Sequence, residues 1–296
     1  METSPHRANA GDPLRQGFGQ TAKKAIPLNA AETPHIPIPF PIAMPYWYIF
    51  RSDALLLTAD DSLPHADRIP VTPATGSMAL PLPSIDGRKA FAVRVADDSQ
   101  PLPGMRYVGL RQTFDLLSRP HYVMAGKARE LLHWDAQSRY CGICGAPMTQ
   151  HTDISKRCTA CGHEVWPAVS PAIIVAVTRD DDWLLMVQSH NFKADYMGLV
   201  AGFVETGETL EECVRREVME ETGISITDIT YFGSQAWPYP SGLMVGFKAR
   251  YAGGDLVLQT SELRKGGWFH RDAMPAIPGK VSLARRLIDD FLENKP

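Results

Sequence analysis

The sequence predicts an α+β protein: a smaller β-rich N-terminal domain, a short cysteine-rich segment, and a C-terminal domain in which strands and helices alternate. Three observations carry this. Short β-branched and aromatic runs precede one helical stretch between 46 and 138, two Cys-x-x-Cys pairs crowd into 141–161, and strand, strand, helix, strand and helix patterns follow from 166 onward. The chain has 296 residues, which at roughly 150 per domain implies about two domains. With 44% hydrophobic and 21% charged residues it has the composition of a soluble globular protein. A net charge of −3 excludes a generally basic nucleic-acid binder, though not a local basic patch. The longest purely apolar run is AIIVAV at 172–177, well short of the ~18 residues of a membrane span. No basic segment followed by an apolar one opens the chain, and Asn294-Lys295-Pro296 is no peroxisomal address, so the expectation is a cytoplasmic protein with no membrane partner.

Residues 1–45 read as a mobile tail and a proline-rich strap. The first thirty lack periodicity, and Pro37, Pro39 and Pro41 alternate with Ile and Phe, which forces extended backbone. Gly17-Phe18-Gly19-Gln20-Thr21-Ala22 formally matches a dinucleotide fingerprint, but no strand precedes it and no helix follows, so the match is chance. Residues 46–138 form a small α+β domain. Strands are predicted at 46–50, 54–58 and 89–95, and a helix at 122–134 with Val123, Ala128, Leu131 and Leu132 near one face. Nothing in this domain looks catalytic.

Residues 139–165 hold Cys141-Gly-Ile-Cys144-Gly and Cys158-Thr-Ala-Cys161-Gly. Each pair can place two thiolates on one cation, so the spacing predicts a zinc ribbon holding a structural Zn²⁺ through Cys141, Cys144, Cys158 and Cys161. All four coordination positions go to sulfur, leaving none open for catalysis. The glycine after each second cysteine relieves a turn where a side chain would crowd the backbone. The alternative is redox-active or incidental thiols. Cys213, far away on a helix, reads as a small core residue.

In residues 166–296, strands are expected at 171–177, 183–187 and 244–251, and helices at 209–222 and 282–292. The first helix opens on a capping box, Thr209 with Glu212, and closes on Gly223, which can adopt the left-handed conformation. At about 100° per residue, Leu210, Val214 and Val218 share a stripe with Glu217 and Glu221. Carboxylates are seldom placed on a buried stripe without a partner, and clustered carboxylates repel unless they share a divalent cation. Oxygen ligands suit Mg²⁺ or Mn²⁺, which then bridge to phosphate oxygens. Glu220, on the adjoining face, can pair with Arg216 four residues earlier. A solvated acidic face is the plain alternative.

The segment Gly202-x5-Glu208-x7-Arg216-Glu217-Val218-x-Glu220-Glu221-x-Gly223-Ile224 resembles the Nudix box at all nine of its specified positions. The resemblance implies a C-terminal Nudix α/β/α sandwich and metal-dependent hydrolysis of a nucleoside diphosphate linked to another group. It implies that Glu217, Glu220 and Glu221 hold the metals or activate water, with Arg216 orienting the carboxylates. Further along, Ser234-Gln235-Ala236-Trp237-Pro238-Tyr239-Pro240-Ser241-Gly242 reads as a rigid loop whose aromatic surfaces could stack on a flat base or simply pack. It resembles the S-Q-P-W-P-F-P-x-S signature of NADH pyrophosphatases, also described as NAD-capped RNA hydrolases. That family carries a four-cysteine ribbon before its Nudix domain and a β-rich domain before the ribbon, and its tail pattern is similar to Glu262-Leu263, Trp268-Phe269 and Ala284-Arg285-Arg286-Leu287.

What this second resemblance implies is hydrolysis of the pyrophosphate of NADH or NAD⁺ to nicotinamide mononucleotide and AMP, and removal of the NAD cap from the 5′ end of RNA. It implies Mg²⁺ or Mn²⁺ held by Glu217, Glu221, Glu262 and the Ala201 carbonyl, with Glu220 or Glu217 taking a proton from water. It further implies a substrate site of Trp166, Gln235, Ala236, Trp237, Pro238, Tyr239, Pro240, Ser241, Gly242 and Ala284, and a homodimer. Four departures stand out. Ala236 replaces a proline, Tyr239 a phenylalanine, Gly242 a serine and Gly266-Gly267 the pair usual before Trp268-Phe269, while Trp166 stands for a tyrosine that lines the substrate site, and losing a rigidifying proline and a hydroxyl could loosen the grip on the dinucleotide. A broader diphosphatase acting on ADP-ribose, FAD or dinucleoside polyphosphates is the first alternative. A zinc-ribbon binding module with a relic Nudix domain is the second.

Overall fold

The computed structural model describes residues 43–192 and 194–294. The expected tail, the glycine match at 17–22 and most of the strap lie outside the described residues. Among the described residues no helix is long and apolar enough to cross a membrane.

The first sheet has five strands, β1 (Tyr46–Arg51), β2 (Ala54–Thr58), β3 (Leu80–Ile85), β4 (Arg88–Arg94) and β5 (Met105–Gly109), in the order β3-β4-β1-β2-β5. β1 and β4 run parallel at its centre, and the other pairs are antiparallel. After a 3₁₀ turn at Leu110–Asp115, helix α1 (Arg119–Gln137) crosses one face. Its buried residues include Ala125, Gly126, Ala128, Leu131, Leu132 and Trp134, whereas Val123 is exposed, contrary to the sequence reading. The helix begins three residues earlier than expected, at Arg119 with Pro120 in its first turn, and Val123 falls on the solvent side of that longer cylinder.

A three-stranded sheet follows, β6 (Met148–Thr152), β7 (Ser155–Cys158) and β8 (Glu164–Val165). It is fastened to α1 by a buried ion pair, Lys156 Nζ to Asp135 Oδ1 at 2.6 Å, and Nζ also donates to the Asp135 carbonyl at 2.9 Å. The ammonium lies 5.3 Å from the centre of the Trp134 ring.

The last region is built on six strands: β9 (Ser170–Arg179), β10 (Trp183–Ser189), β11 (Val200–Phe203), β12 (Ser225–Trp237), β13 (Gly242–Gly253) and β14 (Leu263–His270). The order is β12-β13-β9-β10-β14, with β11 paired to β9. β9 is apolar on both faces. Ile173, Val175 and Val177 pack under helix α2 (Leu210–Thr222) with Val214 and Val218, while Ile174 and Ala176 pack under α3 (Leu283–Glu293) with Leu287 and Ile288. The result is the expected α/β/α sandwich. Each fully buried Val or Leu contributes roughly 1.5–3 kcal/mol.

The strand β12 departs from the sequence reading, which places Ser234–Trp237 in a loop. Those residues are paired strand, Gln235 with Met244 and Trp237 with Gly242, and only Pro238–Ser241 form the turn between β12 and β13.

Candidate active site

The α2 helix forms as the sequence dictates. Thr209 Oγ1 accepts from Glu212 N at 3.2 Å, Glu212 Oε2 accepts from Thr209 N at 2.7 Å, and Gly223 closes the helix at φ 72°. Its apolar stripe sinks into the sheet and carries Glu217 and Glu221 down with it, 9% and 6% exposed. Cys213 is fully buried, as expected, and burial pushes its thiol up to about 12.

Arg216 organises the carboxylates. Its guanidinium donates to Glu208 at 2.6 and 3.0 Å, to Glu217 at 2.9 Å, to Glu220 at 3.1 Å and to the Phe203 carbonyl at 3.0 Å. The paired hydrogen bonds from Arg216, with one from Glu205 N, hold Glu208 down at about 2. Glu208 is thus the residue that fixes Arg216, a part the spacing alone did not assign. Phe203, 66% exposed beside this network, is a second residue that sequence reasoning passed over, because it lies inside an unspecified stretch of the box.

Glu217 sits against the backbone of β11, and a Cβ at Gly202 would fall inside its carboxyl group. Burial raises its pKa, with Arg216 opposing. Glu221 has no such support. Its Oε2 is buried without any partner, and burial, then the charges of Glu217, Glu262 and Glu220, push it up to about 8. Glu262 reaches this neighbourhood because Gln259 N donates to the Glu221 carbonyl at 2.9 Å and Glu262 N donates to the Gln259 carbonyl at 3.1 Å. Ala201 is exposed on β11, paired with Ile174 and adjoining Gly202. Two buried carboxylates, Glu220 beside Glu221 and Glu262 delivered by a distant loop offer oxygen donors only, and one buried Glu221 oxygen lacks a partner, a chemistry that fits a divalent cation.

A pH dependence follows. The folded state holds a proton on Glu221 up to about pH 8, whereas the ordinary value is 4.5, so between these limits the folded state binds more protons than the unfolded one. Without added divalent cation, thermal stability is therefore expected to fall as pH rises from 4.5 to 8, and the slope is expected to flatten in Glu221→Gln. Equal slopes in scans of the two proteins would contradict this.

The four cysteines come together. Their sulfurs lie within 4.8 Å of one another, with Cys141–Cys161 at 3.7 Å, Cys144–Cys158 at 3.4 Å and Cys144–Cys161 at 3.5 Å. Four sulfurs at the usual metal distance of about 2.3 Å from a tetrahedral Zn²⁺ would be about 3.8 Å apart. Backbone N–H groups of Cys161 and Ala160 aimed at Cys158 lower its thiol to about 6, and those of Cys144 and Ile143 lower Cys141. Although the His163 N–H favours its thiolate, the neighbouring thiols Cys144 and Cys158 push Cys161 up to about 12, the cost of crowding sulfurs with no cation between them. Gly145 and Gly162 stand at φ 74° and 75° with open space around them. Glycine is needed there for the left-handed backbone, not to avoid crowding. Among the described residues these cysteines alone converge so tightly, and the carboxylates of α2, which repel one another, stay further apart.

The aromatic hairpin is held from outside its own region. Arg129 Nη1 donates to the Pro238 carbonyl at 3.0 Å, Tyr122 Oη and Tyr239 Oη lie 3.4 Å apart, and a Cβ on Gly126 would stand 3.2 Å from Pro238 Cγ. The Arg111 guanidinium lies 4.4 Å from the Tyr239 ring centre and 4.9 Å from that of Trp237. Tyr239 packs into the core of the first sheet, so for this ring the packing alternative holds. This clamp comes from a region in which sequence reasoning found no chemistry. Gly242 opens β13, and a Cβ there would lie 3.2 Å from the Trp237 carbonyl.

The remaining expected residues flank the hairpin. Ser241 Oγ donates to the Ala168 carbonyl at 2.6 Å, which ties the turn to the segment carrying Trp166, itself 57% exposed. Gln235 Nε2 donates to the Val281 carbonyl at 2.7 Å, which brings β12 to the entry of α3, where Ala284 is half-buried.

A family model described as NUDIX domain matches residues 169–291, and one described as NADH pyrophosphatase-like rudimentary NUDIX domain matches residues 45–134. The NAD-capped RNA hydrolase NudC of Stutzerimonas stutzeri is 41% identical over 213 residues, covering 71% of this chain and 76% of that protein. The NAD-capped RNA hydrolase NudC of Deinococcus radiodurans is 36% identical over 250 residues, covering 83% and 87%. A solved NUDIX hydrolase from Nitrosomonas europaea aligns with a TM-score of 0.46 and 19% identity, covering 53% of this chain and 92% of that one. With the intact box on α2, the cysteine cluster before it and relatives of this similarity over most of both chains, the chain belongs to the Nudix hydrolases, in the family of NADH pyrophosphatases and NAD-capped RNA hydrolases.

Proposed function

We propose that this chain hydrolyses the pyrophosphate bond of NADH and NAD⁺, giving nicotinamide mononucleotide and AMP, and removes the NAD cap from RNA to leave a 5′-monophosphate. The observation that carries this reading is the buried pair Glu217 and Glu221 on α2, one of them with a partnerless oxygen. The names of the relatives support the choice of substrate. The division into 46–138, 139–165 and 166–296, a homodimer and a cytoplasmic location belong to the same reading. The exposed Val169 would supply apolar surface for a second copy.

Glu217, Glu221, Glu262 and the Ala201 carbonyl would hold Mg²⁺ or Mn²⁺, and Cys141, Cys144, Cys158 and Cys161 would hold Zn²⁺. When bound, the divalent cation neutralises diphosphate charge and makes water more acidic. Hydrolysis adds water across one P–O bond, so one group must accept a proton. Glu217 is buried against Arg216 and Gly202, whereas the Glu220 side chain is 53% exposed with one oxygen on Arg216, and we assign the proton to Glu220. Arg216, fixed by Glu208, keeps both carboxylates aimed. Trp166, Gln235, Ala236, Trp237, Ser241, Gly242 and Ala284 would receive the dinucleotide, with Pro238, Tyr239 and Pro240 as the backing that holds Trp237 in place.

Chromatography of products from NADH, NAD⁺, ADP-ribose and NAD-capped RNA with Mg²⁺ or Mn²⁺ tests the reading. AMP from NADH is expected, and equal kcat/KM for ADP-ribose would favour the broader diphosphatase instead. Gly202→Ala is a sharp internal check. Its methyl group must displace the Glu217 carboxyl, so Mn²⁺ affinity is expected to fall by about tenfold or more, the scale of an outer-shell metal defect. Unchanged affinity by calorimetry would separate Glu217 from the metal.

A further inference from the structure

Arg129, which clamps the aromatic hairpin, also walls a cavity that the proposed reaction does not use. The cavity measures about 30 Å³ and is lined by Phe50, Ser52, Arg94, Arg129, Leu132 and His133, at the turn between β1 and β2, the end of β4 and one face of α1. That is room for about two waters, or for one tetrahedral oxyanion.

The wall carries two guanidiniums, with Asp53 opposing Arg94 at Arg129. Among the described residues no carboxylate comes within 4.0 Å of either the Arg94 or the Arg129 guanidinium, and Asp53 and Glu130 reach Arg129 only at longer range. Arg129 Nη1 is spent on the Pro238 and Pro240 carbonyls, while its Nε is buried with no partner. Burial, then Arg94, weakens the hold of Arg129 on its proton, and burial, then Arg129 and Arg94, does the same to His133. Two guanidiniums facing one small space repel each other, and a resident anion removes that cost while the imidazole offers it a hydrogen bond.

The geometry points to an oxyanion site in the N-terminal domain, in which Arg94, Arg129 and His133 bind a single phosphate group. The group is either free inorganic phosphate or the phosphate of a nucleotide. None of its lining residues is among those proposed to hold the divalent cation or receive the dinucleotide, and its test needs no turnover.

Thermal unfolding of the full zinc-loaded chain, with no Mg²⁺ or Mn²⁺ added, would be followed against sodium phosphate and against AMP at constant ionic strength. A saturable rise of about 2–4 °C is expected for at least one of the two ligands, and it is expected to vanish in Arg94→Gln. A response to phosphate assigns the free anion, and a response to AMP alone assigns the nucleotide. The ligand-free Arg94→Gln protein is expected to unfold at the same temperature as the wild type or higher, because a repulsion has been removed. If Arg94→Gln does not fold, His133→Gln carries the same comparison. Shifts that survive the substitution, or no saturable shift for either ligand up to about 10 mM, would overturn the site.

Discussion

Glu221→Gln is expected to lower kcat for NADH hydrolysis by about 100- to 1,000-fold, the range seen when a preorganised group that meets transition-state charge is removed. The amide is nearly isosteric and uncharged, so it relieves the crowding that burial, Glu217 and Glu262 impose on this position. The variant should therefore unfold at the same temperature as the parent or higher when no divalent cation is added. Activity and stability then move in opposite directions, which separates loss of chemistry from loss of fold. AMP release read by chromatography, beside a thermal scan of the same sample, decides the matter. A variant that keeps a third of the parent activity would remove Glu221 from the proposed mechanism.

Cys158→Ser is expected to abolish zinc binding and to collapse the β6–β8 sheet. Structural zinc supplies about 10–16 kcal/mol of apparent binding free energy in small domains, more than three short strands recover by themselves. The damage should spread. Losing β7 would withdraw Lys156 from Asp135 and leave a buried carboxylate without its cation, a loss of about 3–5 kcal/mol in comparable buried pairs. Metal analysis of purified protein, with Cys213→Ser as the control that keeps its zinc, checks the assignment. Full zinc occupancy in Cys158→Ser would refute it.

Much of this was legible in the sequence, for physical reasons particular to each element. Helix α2 announced itself because Thr209, Glu212 and Gly223 fix its ends and a 3.6-residue period fixes its buried face, so the burial of Glu217 and Glu221 could be read before any fold was known. The ribbon was legible because two Cys-x-x-Cys pairs leave thiolates few other uses. β12 was not. Pairing shifts on either side of Asp228, which stands at φ 53°, break its alternation, and most of its residues face solvent, so no two-residue period survives. The clamp on the hairpin was also hidden, since Arg129 and Pro238 stand 109 residues apart and nothing local links them.

That separation has a consequence for how substrate preference can be transferred between relatives. The hairpin is written in one part of the chain and finished by another, through Arg111, Tyr122, Gly126 and Arg129. A chimera that joins residues 166–296 of this chain to the first half of a homologue would keep every box glutamate and still place Trp237 on foreign backing. Changes at Gly126 or Arg129 should therefore be tolerated only alongside compensating changes at Pro238 or Tyr239.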